Sequence, residues 1–476
     1  MNDDREFDEE QPLNIHAVVA RFEEGLSRRR PEFFDVATFE SLIRYYENKQ
    51  QWQQALEVAD CAINQHPFSA VFLIKKAALL IMMKKNHQAE ELLQQAEVLD
   101  PTDVAIPVLR SDLYLQTNRP ELAKKVLEHA ARQATSAEDR EELLLELADV
   151  YEELDEFDHL FEALAQVLRA NPRSQEALSR MWYAVELSGK YEASIALHQW
   201  IIDQDPYSYL AWHNLGNAYY DIGRYPEAIE AFGFATAINE NWDLSYRDCG
   251  DAYLQLRQYR KAIEQFQLAI KASKPYEELL SAIGFCYEKL KNFTYARAYY
   301  RRAIQQDPRF HEGYFRIGET YRKQRSWVKA LQYYKKAVRI QGNRAEYLVA
   351  LAEMHSRLGD TQALILCGQN LAALDFSAKT KTHYEKMVTL LIGADCCEEA
   401  IRLLDYATCE RGTLASFPYL RAAALLLLGR RREGLGWLEL GLSRHIKKAK
   451  MFFRLCPTLR QDPVIVSLLQ RYADSD

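Results

Sequence analysis

Between residues 209 and 344 one 34-residue pattern runs four times without a gap, and nothing else in the chain restricts its fold as strongly. Gly216, Gly250, Gly284 and Gly318 stand 34 residues apart, and Tyr219, Tyr253, Tyr287 and Tyr321 follow them by three. Ala228, Ala262, Ala296 and Ala330 follow the glycines by twelve. An aromatic comes four later (Phe232, Phe266, Tyr300, Tyr334), then a second alanine (Ala235, Ala269, Ala303, Ala337). A register kept at five positions through four copies means that equivalent units are stacked. Each unit touches only its neighbours, so one core can extend well beyond the size of a single globule.

Small residues at unit positions 8, 20 and 27 let two antiparallel helices, and the first helix of the next unit, approach closely. Large residues at positions 4, 7, 11 and 24 fill the space around them. A bulky replacement of Ala262 is expected to overpack this contact at a cost of about 1–3 kcal/mol. The glycines lie in mid-helix, and no G-x-G-x-x-G or P-loop spacing accompanies them, so they do not cradle a phosphate.

The register extends in both directions. Unit starts fall at 36, 70, 104, 141, 175, 209, 243, 277, 311, 345, 381 and 415, which makes an array over 36–448. Pro67, Pro101, Pro172, Pro206 and Pro308 all occupy position 32, where proline stops a second helix and stiffens the turn into the next unit. The longer interval after 104 coincides with Ala134–Asp139, read as a lengthened loop. Residues 1–35 read as an acidic, disordered tail (1–12) followed by a capping helix with Ile15, Val18, Val19, Phe22 and Leu26 on one face and Arg28-Arg29-Arg30-Pro31 as its stop. Residues 449–476 read as a closing cap: Asp462-Pro463 opens a short helix whose Val464, Val466, Leu468, Leu469 and Tyr472 cover the last unit.

The run Trp212-His213-Asn214-Leu215-Gly216-Asn217-Ala218-Tyr219, with the alanines and aromatics behind it, resembles the tetratricopeptide repeat (TPR) family. The resemblance implies an all-α fold: a right-handed superhelical solenoid of about twelve helix-turn-helix repeats with capping helices at both ends. It also implies that the first helices line a concave groove through positions 2, 5, 9 and 12. Carried over residue by residue, those positions give Asp149, Glu152, Tyr183, Glu186, His213, Asn217, Tyr220, Arg247, Asp251, Phe285, Glu288, Phe315, Glu319 and Arg322. TPR modules that grip an acidic carboxy-terminal peptide carry Lys, Arg and Asn at positions 5 and 9. Only Asn217 matches that clamp here, among carboxylates that would repel such a ligand. The expected occupant is therefore a basic or mixed-charge peptide with an apolar residue packed on Tyr183, Phe285 or Phe315. The expected function is a non-catalytic scaffold or adaptor, similar to long soluble multi-TPR proteins of bacteria.

Composition agrees with that class. The formal charge of -8 gives no general attraction to nucleic acid or an anionic membrane. No apolar run approaches the about 20 residues needed to span a bilayer. The acidic start, MNDDREFDEE, is unlike a secretion signal, so the expected location is cytoplasmic. The 8 cysteines show no C-x-x-C pair, and the vicinal Cys396-Cys397 reads as apolar packing. No nucleophile elbow, kinase set or zinc-ligand spacing is present, so neither catalysis nor a cofactor or metal is expected.

Two further surfaces stand out. Val71, Ile74, Ala78, Ile81, Ala105 and Val108 make the front of the expected groove apolar, a strip for the amino-terminal helix or a second copy to occupy. Residues 411–460 hold 11 Lys or Arg against Glu433 and Glu439, including Arg430, Arg431, Arg432, Lys447, Lys448 and Lys450. This possible anion-binding patch supports an alternative reading as a binder of nucleic acid or an anionic surface. Sparse aromatics there argue against nucleic acid and leave an acidic protein, or self-association through the acidic tail, as partners.

Overall fold

The structure, a computed structural model, describes residues 15–28, 32–374, 380–409 and 414–473. The acidic tail and the Arg29-Arg30-Pro31 stop lie outside these residues. Among the described residues there are helices and no strands, and the chain is an all-α repeat solenoid. None of the described helices is long and apolar enough to cross a membrane.

The chain divides into two compact units at Asn239/Glu240. In the first, α1 (Ile15–Ser27) precedes the hairpins α2/α3 (Val36–Asn48, Trp52–Gln65), α4/α5 (Ala70–Met82, Asn86–Leu99), α6/α7 (Ala105–Gln116, Pro120–Gln133), α8/α9 (Ala137–Glu153, Phe157–Ala170), α10/α11 (Gln175–Ser188, Tyr191–Gln204) and α12/α13 (Tyr209–Asp221, Tyr225–Ile238). In the second, the hairpins are α14/α15 (Asp243–Gln255, Tyr259–Ala272), α16/α17 (Glu277–Lys289, Phe293–Gln306), α18/α19 (His311–Lys323, Trp327–Ile340), α20/α21 (Ala345–Leu358, Thr361–Ala372), α22/α23 (Lys381–Gly393, Cys397–Cys409) and α24/α25 (Phe417–Leu427, Arg431–His445). Helices α26 (Ala449–Leu455) and α27 (Pro463–Ala473) follow.

Two local devices make each hairpin. The first is the turn, where every positive-φ residue among the described residues is found: Gln50, Lys84, Asn118, Asp155, Gly189, Gly223, Arg257, Lys291, Arg325, Gly359, Asp395 and Gly429. The left-handed residue turns the chain back so that the next amide reaches the last turn of the helix. Gln258 N donates to Tyr253 O at 2.9 Å, and Asn292 N donates to Tyr287 O at 2.8 Å. The recurring tyrosine thus also marks the carbonyl that closes the helix.

The second device is the crossing. A Cβ added to Gly216 or Gly250 would lie 2.5 Å from the ring of Phe232 or Phe266. The corresponding distances are 2.7 Å for Gly284 and Tyr300 and 2.5 Å for Gly318 and Tyr334. The glycine is missing a methyl group because the ring of the facing helix fills that space.

Three departures from the sequence reading have physical causes. The loop at Ala134–Asp139 is not lengthened: only Ala134, Thr135 and Ser136 lie between α7 and α8, which begins at Ala137. Ser136 caps α8 by accepting from Asp139 N at 2.9 Å, and Glu138 and Asp139 favour the helix amino terminus. The extra residues therefore lengthen α8 to 17 residues, against 13 in α12. The apolar strip at the front is not exposed: Ile74 and Ile81 are buried, and Val71, Ala78, Ala105 and Val108 are half-buried. Helix α1 instead caps α2, with Val18, Val19 and Phe22 in one core with Phe34 and Phe39. At the far end Ile465 and Leu468 pack with Leu438, Leu442 and Phe452, while Val464 stays 44% exposed.

Hairpin α10/α11 is irregular. Helix α10 packs on α9 and α12 and meets α11 only sparsely. Position 8 is Trp182, 48% exposed, and position 24 is His198, fully buried. His198 Nδ1 donates to Ser194 O at 2.8 Å, its Nε2 has no partner among the described residues, and burial pushes its pKa down to about 4.

Gly250→Ala should destabilise the protein by about 1–3 kcal/mol in urea unfolding, because the ring of Phe266 cannot yield without opening the crossing. Adding Phe266→Leu should recover part of that loss. An unchanged midpoint for Gly250→Ala would show that the crossing is loose.

Candidate functional site

The first helices of the first unit bring carboxylates together with few cations. Asp149 and Glu152, on the exposed side of α8, share Arg180 of α10, which pairs with Asp149 and lies 3.7 Å from Glu152 and 3.9 Å from Glu176. Asp112 on α6 and Glu146 on α8 have no ion-pair partner among the described residues. Burial, then the neighbouring Asp149 charge, pushes both carboxyl groups above their ordinary range. Tyr183 is half-buried, edge-on to Phe157 at 6.3 Å and to Trp182 at 5.8 Å. Glu186 is exposed on the following turn of α10.

On α12, His213 is buried, with its ring 5.6 Å from that of Phe232 and its Nε2 3.2 Å from Asn217 Nδ2. Asn217 and Tyr220 are half-buried, and Tyr220 meets Tyr225 edge-on at 5.4 Å. His213 therefore supports Asn217 and offers no surface of its own.

In the second unit the same helix face is charge-balanced. Glu288 is buried, accepts from Tyr300 Oη at 2.9 Å and pairs with Lys323 of the next repeat at 2.5 Å. Glu319 accepts from Tyr334 Oη at 2.5 Å and from Arg322 at 3.0 and 2.7 Å. Arg322 also lies 3.9 Å from Glu353, which pairs with Lys386 at 3.2 Å. These carboxylates are satisfied by their own chain. Phe285 lies under Lys289 at 4.7 Å and Arg316 at 5.4 Å.

Phe315, expected as an apolar anchor, is only 5% exposed because it stacks on Tyr347 at 4.5 Å. It belongs to the core. Arg247 donates to Asp248 at 2.9 Å, and Asp251 lies one helical turn on. Burial and the Asp248 charge, opposed by Arg247, push the Asp251 carboxyl up to about 6.

The carboxy-terminal cations are partly spent. Arg430 pairs with Glu433 at 2.6 Å and Arg431 with Asp462 at 2.6 Å. Arg432, Lys447, Lys448 and Lys450 are exposed. An open cavity of ≈ 410 Å³ is lined by Ser443, Arg444, His445, Lys447 and Lys448 among others.

Sequence reasoning missed a second basic stretch of the chain. Residues 257–344 hold 20 Lys or Arg against 7 Asp or Glu. Helices α17 and α19 contain no carboxylate. Counting charge repeat by repeat finds this run, whereas the whole-chain balance hides it. No group of three or more His, Cys, Asp or Glu side chains suited to a metal ion occurs among the described residues.

Family models described as tetratricopeptide repeat match residues 207–274, 248–309 and 286–345. No curated protein sequence matches the chain. Among solved structures the chain is similar to MamA, at 24% identity over 35% of this chain and 98% of that one, with a TM-score of 0.33. It is also similar to YrrB, described as a TPR protein with an unusual peptide-binding site: 15% identity, 42% and 97% coverage, TM-score 0.32. The APC/C hetero-tetramer Cut9-Hcn1 gives 12% identity, 86% and 99% coverage and a TM-score of 0.37.

Asp251 yields a pH test. An unfolded aspartate ionises near 4, whereas the folded group ionises near 6. The folded state holds this proton more tightly, so the group stabilises fully below about pH 4 and that stabilisation is lost as pH rises through 6. Asp251→Asn should flatten the stability profile in that window and be more stable than the parent at pH 7 by about 1–2 kcal/mol. Superimposable pH profiles for the two proteins would refute the assignment.

Proposed function

We propose that this chain, a tetratricopeptide repeat protein, is a non-catalytic scaffold that holds a basic or mixed-charge protein segment against α6, α8 and α10 of its first unit. The supporting observation is the charge imbalance there. Asp149, Glu152 and Glu176 share one cation, Arg180, and the neighbouring Asp112 and Glu146 form no ion pair among the described residues. Carboxylates that raise one another's pKa are relieved when a ligand brings lysine or arginine among them. Tyr183, with part of its ring open, is the apolar contact beside them.

The matching face of the second unit suits this role less. Glu288, Glu319 and Glu353 already have cations of their own, and a ligand would have to displace them. The proposed peptide site is therefore narrower than the full set of first-helix positions.

A second reading, an anion site in residues 411–460, draws on the cavity beside Lys447 and Lys448. Lys447→Glu with Lys448→Glu is its decisive variant, since Arg430 and Arg431 already have partners.

A Lys/Arg-rich peptide carrying one leucine should bind by fluorescence polarisation, and Glu146→Gln with Asp149→Asn should weaken it by about tenfold. The affinity should fall as salt is raised, because these charges are only partly buried. Affinity that survives high salt, or a preference for an acidic peptide, would reject the proposal.

A further inference from the structure

We propose that the second helices of the second unit, α15, α17 and α19, form a binding face for single-stranded nucleic acid. This surface is separate from the proposed peptide site, and its occupant has the opposite charge.

The first observation is cations without partners. Arg301, Arg302, Lys329, Lys336 and Arg339 are exposed, and none forms an ion pair among the described residues. The contrast with the first helices of the same unit is direct: Lys323, Arg322 and Arg316 each hold a carboxylate. Neither α17 nor α19 contains Asp or Glu, and Glu264 is the one carboxylate of α15, so cations outnumber acids on this face. A chain of phosphates meeting such a face releases its counterions, which drives binding without base specificity.

The second observation is aromatic rings set among those cations. Tyr295 and Tyr299 of α17 lie 5.3 and 5.6 Å from Tyr287 in near-parallel stacks, and Tyr333 of α19 stacks on Tyr321 at 5.6 Å. Arg302 sits over Tyr299 at 5.1 Å, and Arg297 over Tyr321 at 4.6 Å. Tyr295 keeps 57% of its surface exposed. The exposed ring of Tyr295 is one that an unpaired base can stack on, while its phosphates meet Arg301 and Arg302 of the same helix. An acidic peptide would use the charges and leave the rings idle, and a duplex would keep its bases inside its own stack.

The third observation is the repeat itself. Three successive hairpin turns place Arg257, Lys291 and Arg325 at the same left-handed position, 34 residues apart. A polymer with regularly spaced negative charge suits a scaffold that presents a cation once per repeat.

The test uses the full chain and fluorescently labelled oligo(dT), with a duplex and polyglutamate as competitors. Oligo(dT) should bind at low salt and weaken linearly on a log–log plot, with a slope of about 0.7 per phosphate contacted. Arg301→Glu with Arg302→Glu and Lys336→Glu should weaken binding at least tenfold with the circular dichroism spectrum unchanged. Should that triple variant fail to fold, Lys336→Gln alone should still weaken oligo(dT) measurably. Tyr295→Ala should weaken oligo(dT) but leave polyglutamate unaffected. The proposal is overturned by no binding at low salt, or by duplex or polyglutamate competing as well as oligo(dT). It is equally overturned if Lys447→Glu with Lys448→Glu abolishes binding while the triple variant does not. Self-association of the protein that the triple variant abolishes would assign the face to a second copy instead.

Discussion

The contact between position 8 of a first helix and position 24 of its partner governs how closely each hairpin can close. In the four regular repeats it is a glycine under an aromatic ring, as in Gly250 and Phe266. Elsewhere the two positions trade volume. Ala77 lies in the same hairpin as Leu93, Ala148 as Leu164 and, with the sizes reversed, Ile43 as Ala59, and all six are fully buried. Close packing leaves no slack at such a crossing, so one partner can be large only if the other is small. Hairpin α10/α11 shows the converse. With Trp182 and His198 at these positions the volume does not fit, the indole stays half-exposed, and the two helices meet only sparsely.

Once the crossings fix the hairpins, each repeat has one helix for each of two faces, and the residues between the packing positions are free to differ. In the second unit the first helices spend that freedom on internal ion pairs such as Glu288 with Lys323, backed by tyrosine hydroxyls. Partly buried pairs of this kind are maintained because removing either member leaves a buried charge uncompensated. On the first helices α8 and α10 of the first unit, Asp149, Glu152 and Glu176 share the single cation Arg180, and α17 and α19 of the second unit carry no carboxylate. The same backbone therefore carries three electrostatic faces: balanced, acidic and basic.

This division explains what was legible in the sequence. The fold was, because Gly216, Tyr219, Ala228 and their counterparts recur at a fixed period and act within one hairpin or its neighbour. The candidate site was legible only in part. Phe315 and Glu288 sit at the same register positions as open groove residues in other repeats, yet Tyr347 covers one and Tyr300 and Lys323 engage the other. Whether a register position faces solvent depends on side chains 12 to 35 residues away, which a single-repeat template does not consider. The basic run at 257–344 was visible in the letters, but averaging over the chain removed it.

That averaging misleads for a physical reason. Residues 1–239 carry 42 Asp or Glu against 22 Lys or Arg, whereas residues 240–476 carry 26 against 38. The net -8 is what remains when two larger opposite charges are added together. Salt screens exposed charges beyond about 8 Å at physiological ionic strength, so a ligand responds to the repeats it touches and hardly at all to the sum. Exclusion of polyanions on the strength of the overall charge therefore fails for this architecture, and the charge of each helix face has to be counted separately.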